Sequence, residues 1–76
     1  MKAYVLIKVR TGDLREALRN LKSVQGVEEA NMTFGPFDAV AIVKADSVNH
    51  LGQIIAMGIQ PIPGILETLT CLAVEM

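Results

Sequence analysis

The chain has 76 residues, a formal net charge of −1, one cysteine and one histidine. These counts exclude an intrachain disulfide, a zinc site built from four protein ligands, and the basic stripe that neutralises nucleic-acid phosphates. Hydrophobic residues reach 51% and charged residues only 20%, in a domain small enough to bury only about 60% of its unfolded surface, which leaves self-association as the expected source of extra stability.

Residues 3–9 (AYVLIKV) are β-branched and apolar and predict a strand. Asp13 then starts a helix, with Glu16 three residues on in a capping-box-like arrangement. Leu14, Ala17, Leu18, Leu21 and Val24 recur at helical spacing and form its buried face, while Arg15, Arg19 and Lys22 lie off it. Gly26 stands where a left-handed C-terminal cap is wanted. A more polar strand over residues 27–34 follows, then a Gly35-Pro36 turn and a third strand over 39–45.

The second half repeats the first. Asp46 or Ser47 caps a helix whose buried positions are expected at Val48, Leu51, Ile55 and Ile59, and whose thin side is Gly52 and Ala56. Pro61 and Pro63 end it, since proline cannot continue the hydrogen-bond ladder. Gly64 opens a last strand over 65–74, and Gly64-Ile65-Leu66-Glu67 matches Gly26-Val27-Glu28-Glu29 of the first half. The order is βαββαβ, a ferredoxin-like α+β fold: a four-stranded antiparallel sheet with both helices on one face, in a single domain spanning 1–76.

Strand side chains alternate between faces, and here both faces are apolar. Ala3, Val5, Ile7 and Val9 oppose Tyr4 and Leu6; Ala39, Ala41 and Val43 oppose Val40 and Ile42; Ile65, Leu69 and Cys71 oppose Leu66, Leu72 and Val74. Two helices cover one face, so Leu6, Val40, Ile42, Leu66, Leu72 and Val74 are expected in a dimer built sheet against sheet. Leaving them wet forfeits roughly 1.5 to 3 kcal/mol per side chain. No apolar run is long enough to span a membrane and no signal-peptide pattern precedes the first strand, so a cytoplasmic location is expected.

Few residues carry chemistry. His50 lies off the apolar stripe of its helix, and Cys71 reads as a buried, inert thiol. An enzyme is poorly supported: there is no phosphate loop, no nucleophile set and no cofactor signature. Tyr4, Phe34 and Phe37 are too few to stack bases. Asp13 and Asp46 are explained as caps. Asp38 is not, because it opens an apolar strand directly after Gly35-Pro36-Phe37. Thr68 and Thr70 put two hydroxyls on one face of the last strand. A carboxylate, a glycine turn offering amides, and two hydroxyls match the needs of a zwitterionic amino acid.

Gly35-Pro36-Phe37-Asp38 after the second strand, and Ile62-Pro63-Gly64-Ile65 followed by Thr68-Leu69-Thr70, resemble the two signatures of the Lrp/AsnC effector domain, also called the RAM domain. The resemblance spans the whole chain. It implies dimers formed through the sheets, assembly of dimers into rings, commonly octamers, and a small amino-acid effector bound between dimers. By motif position it points to Gly35, Phe37, Asp38, Thr68 and Thr70 as ligand-binding residues. It also implies a stand-alone form without the helix-turn-helix domain of longer members, hence no direct nucleic-acid contact. Pro36 removes one amide from the loop. Two rivals remain: a pure assembly partner of full-length Lrp/AsnC regulators, and a small dimeric-barrel enzyme using His50.

Overall fold

A computed structural model describes residues 1–74. Its elements are β1 (Lys2–Val9), α1 (Leu14–Lys22), β2 (Val27–Met32), β3 (Ala39–Lys44), α2 (Val48–Gln53) with a π-helical continuation (Ile54–Ile59), and β4 (Ile65–Leu72). The strands form one antiparallel sheet in the order β2-β3-β1-β4. This is the expected ferredoxin-like arrangement. β2 stops two residues early, because Thr33 and Phe34 belong to the loop into β3.

The core lies between the sheet and the helices. Ala3, Val5 and Ile7 of β1 and Ala39, Ala41 and Val43 of β3 are fully buried against Ala17, Leu21 and Ile59 from the helical layer. Many of these are alanines, which lets the helices sit close to the sheet. Leu14, Leu18 and Val24 pack partly buried at the margin, as their spacing predicts.

Three local expectations are corrected. Asp13 makes no side-chain cap; its carboxylate instead accepts from Arg10 Nε at 2.8 Å, and Glu16 pairs with Arg19 at 2.9 Å. α1 closes at Ser23 in ordinary helical conformation, so left-handed Gly26 (φ +100°) serves the turn into β2 rather than the helix end. In the second helix Leu51, Ile54 and Ile59 are buried, Ile55 is only half-buried, and Val48 is exposed. The exchange of Ile55 for Ile54 as the residue buried with Ile59 follows from the π-helical widening, seen in the Gln60 N–H to Ile55 C=O bond of 2.8 Å. A five-residue spacing moves the buried positions off the 3.6-residue face. Ser47 does cap this helix, accepting from the His50 N–H at 3.0 Å.

The faces of β4 are also inverted relative to the expectation. Ile65 lies opposite Val9, but Lys8 lies opposite Glu67, so Leu66 is an extra, unpaired residue. One inserted residue flips every later side chain to the other face. Thr68, Thr70 and Leu72 therefore stand beside Ile7, Val5 and Ala3 on the helix side, and Leu69 and Cys71 stand beside Leu6 and Tyr4 on the open side. The open face presents Tyr4, Leu6, Val40, Ile42, Leu69 and Cys71.

Candidate functional site

The loop from Thr33 to Asp38 is closed at its neck by two bonds from Thr33. Its N–H donates to the Asp38 C=O at 3.0 Å and its hydroxyl to the Phe37 C=O at 2.8 Å. Gly35 holds φ +142°, and an added Cβ would meet no atom within 4 Å. Backbone conformation, not crowding, selects glycine there. Phe34 at the tip is fully exposed.

Asp38 has a structural partner that lies far away in sequence. Its Oδ2 accepts from the Val9 N–H at 2.8 Å, and its own N–H donates to the Ile7 C=O at 2.9 Å. The acid is therefore docked on the end of β1 and is half-buried there. Phe37 joins it, with Lys8 Nζ 5.9 Å from the ring centroid. The acid at the mouth of an apolar strand thus takes a sheet amide that the turning backbone of β3 leaves free.

Thr68 is half-buried and Thr70 is exposed. Thr68 Oγ1 accepts from Gln60 Nε2 at 3.1 Å. With Ile65, Leu66 and Glu67, Thr68 and Gln60 line an open depression of about 220 Å³. Gln60 was not foreseen, since only the return of β4 beside the helix end makes it a neighbour. A second depression of about 160 Å³ lies between Leu14, Met32, Thr33 and Phe34.

Within one protomer the two candidate groups are kept apart. Ile7 faces Ala39 on one side and Thr68 on the other, so Asp38 and Thr68 flank β1. That separation is about two interstrand spacings, roughly 10 Å. Gly35, Phe37 and Asp38 share one loop, and Thr68 and Thr70 share one strand across β1 from it.

The remaining candidates have other roles. His50 Nδ1 accepts the Asp46 N–H at 3.0 Å, closing the start of α2 together with Ser47. It lines neither depression. Cys71 is exposed, against the expectation of burial, because the β4 bulge turns it to the uncovered face. Among the described residues no group of three metal-ligating side chains forms, and no helix is long and apolar enough to cross a membrane.

A family model, the Lrp/AsnC ligand binding domain, matches residues 2–76. Comparison with curated proteins returns no match. Among solved structures, TTHA0845 from Thermus thermophilus superposes with a TM-score of 0.93 at 29% identity, covering 99% of this chain and 94% of that one. E. coli AsnC gives 0.92 at 26% identity, covering 99% of this chain but 51% of the longer one. The transcriptional regulator NMB0573 of Neisseria meningitidis, solved as an L-Met complex, gives 0.87 at 13% identity over 97% and 49%, a likeness of fold alone. The match is to a ligand-binding regulatory domain and not to an enzyme. From its βαββαβ order to its two signature segments, this chain belongs to the Lrp/AsnC ligand-binding-domain family.

Proposed function

We propose that this domain is a self-assembling regulatory module that binds a small amino acid where two dimers meet, and so modulates transcription or metabolism. The observation that carries the reading is the divided site. Asp38 and the Gly35 turn lie on one side of β1 and the threonines on the other, and the depressions beside the threonine strand and the Thr33–Phe34 loop are separate and open. A ligand small enough to be an amino acid engages both motifs by taking one from each of two copies.

The chemistry of each part fits. Asp38 Oδ2 is engaged by Val9, which leaves Oδ1 for the ligand ammonium. The amides of Gly35 and Phe37 face the carboxylate, with Pro36 contributing none. Thr68 and Thr70 serve either group, being donors and acceptors. The neisserial regulator with L-Met bound supports the ligand class.

The open sheet face supplies the dimer. Tyr4, Leu6, Val40, Ile42, Leu69 and Cys71 form a continuous apolar surface on it, and covering such side chains stabilises by roughly 1.5 to 3 kcal/mol each. Dimers then close into rings such as octamers. The effector shifts assembly by binding one state better than the other.

Calorimetry with the twenty amino acids tests the sensing role: one or a few give heat at millimolar concentration, and Asp38→Asn removes it. Silence from all twenty removes the role. A second reading, in which this domain co-assembles with full-length regulators, draws on the likeness of its fold to one half of the longer E. coli AsnC. Mixing with such a relative then yields hybrid oligomers by native mass spectrometry.

A further inference from the structure

The end of β1 is held from both sides by the two signature segments. On the β3 side, three consecutive residues grip the loop: Ile7 C=O accepts the Asp38 N–H, Lys8 lies over the Phe37 ring, and the Val9 N–H reaches Asp38 Oδ2. On the β4 side, the Arg10 N–H donates to the Gly64 C=O at 2.7 Å, and Val9 stands opposite Ile65. Successive amides of a strand point to opposite edges. Val9 and Arg10 therefore face Asp38 and Gly64 in turn.

Gly64 has little room to move independently. Its φ is +92°, and a Cβ added there would lie 2.6 Å from Asp13 Cβ. Asp13 Oδ2 in turn accepts from Arg10 Nε at 2.8 Å. Arg10 thus engages the Pro63-Gly64 turn through its backbone and the start of α1 through its side chain.

The rung supplied by Asp38 comes from a side chain, because the Phe37 C=O is turned to the Thr33 hydroxyl. A main-chain rung is fixed by the fold, but a carboxylate can also be engaged by a ligand. We infer that Asp38 is a positioning residue that ties the Gly35–Asp38 loop to the Gly64 turn within one protomer, through the adjacent amides of Val9 and Arg10. The placement of Ile65 and of the bulge leading to Thr68 then follows that of Asp38. For an effector, and here the inference rests on the proposed amino-acid site, an ammonium drawing on Asp38 is felt at the threonine strand of the same chain.

Amide hydrogen exchange followed by NMR on the ligand-free protein tests the link. In Asp38→Ala the Val9 amide loses its acceptor, and its exchange rises roughly tenfold or more. Arg10 and Ile65 follow by about threefold or more, while Ala45, bonded to Met1 at the far end of the sheet, keeps its rate. Asp38→Asn retains a carbonyl acceptor and restores all three. Should the alanine variant not fold, Asp13→Ala perturbs the link from the other side and raises Val9 exchange. The inference is overturned if Val9 alone responds to Asp38→Ala, if Ala45 rises equally, or if Val9 is indifferent to Asp13→Ala. No ligand enters this measurement, so amino-acid binding and the internal link can fail separately.

Discussion

β2 opens with Gly26-Val27-Glu28-Glu29 and β4 with Gly64-Ile65-Leu66-Glu67, and the two edge strands use these residues alike. Each glycine is left-handed, at φ +100° and +92°. Val27 and Ile65 each face a buried valine, Val43 and Val9, and the residue after each is skipped in the pairing. Beyond that point the strands diverge. β2 exposes Glu28, Glu29 and Asn31, with Glu28 3.8 Å from Lys44. β4 exposes Leu66, Leu69, Cys71 and Leu72 beside Glu67 and Thr70, whereas the one large apolar side chain that β2 exposes is Met32 at its end. Charge at a sheet edge discourages further pairing. The same opening therefore leads to one edge rich in charged and polar side chains and one edge rich in exposed apolar ones.

The sharpest way to break this contrast uses one row of the open face, which runs Asn31, Val40, Leu6, Leu69 from edge to edge. Leu69→Asp places a charge where a second sheet is proposed to pack. Because each dimer carries two copies, it weakens self-association by roughly 3 to 6 kcal/mol. Asn31→Asp at the other end of the row leaves association unchanged. Sedimentation equilibrium over a concentration series measures both, and equal effects would show that the two edges are equivalent after all.

A smaller effect separates the two glycines. Both lose the left-handed conformation on substitution by alanine, at about 1 to 2 kcal/mol. At Gly26 the new Cβ meets the Ile54 Cδ1 methyl at 2.7 Å, the far end of a side chain that can turn. At Gly64 it meets Asp13 at its Cβ, which cannot yield without moving α1. Gly64→Ala is therefore expected to cost about 2 to 4 kcal/mol in total. Thermal melts at matched protein concentration give the order, and equal losses would show that the start of α1 shifts to admit the new Cβ.

The smallest effect concerns the helix starts. Ser47→Ala removes an observed cap and costs about 1 kcal/mol. Asp13→Ala removes an exposed pairing with Arg10, worth about 0 to 1 kcal/mol globally even where it loosens the end of β1 locally. Chemical denaturation of the two variants resolves the difference. A larger loss at Asp13 would instead mean that its contact with Gly64 stabilises the turn.

Asp38 shows how the candidate site is only half legible in sequence. Its oddity was visible in the sequence, because an acid opens an apolar strand. Its partner was not visible, because the Val9 amide lies 29 residues away. Thr68 and Thr70 share a face in sequence and structure alike, since that depends only on their spacing. Which face it was depended on Leu66, an extra residue that no alternation pattern announces. Leu69 and Cys71 stand on the open face, against simple alternation, for the same reason.

The sequence by itself determined what neighbouring residues decide. It set the order of six elements, a helix cap at Asp46 or Ser47, turns at Gly26, Gly35 and Gly64, and the apolarity of both sheet faces. These follow from spacing, φ preference and side-chain size over a few residues. Only the tertiary structure decided the sheet register, the flip of β4, the π-helical shift from Ile55 to Ile54, and the docking of Asp38 on β1. Each of these depends on which distant backbone group is left needing a partner, and that is known only once the strands lie side by side.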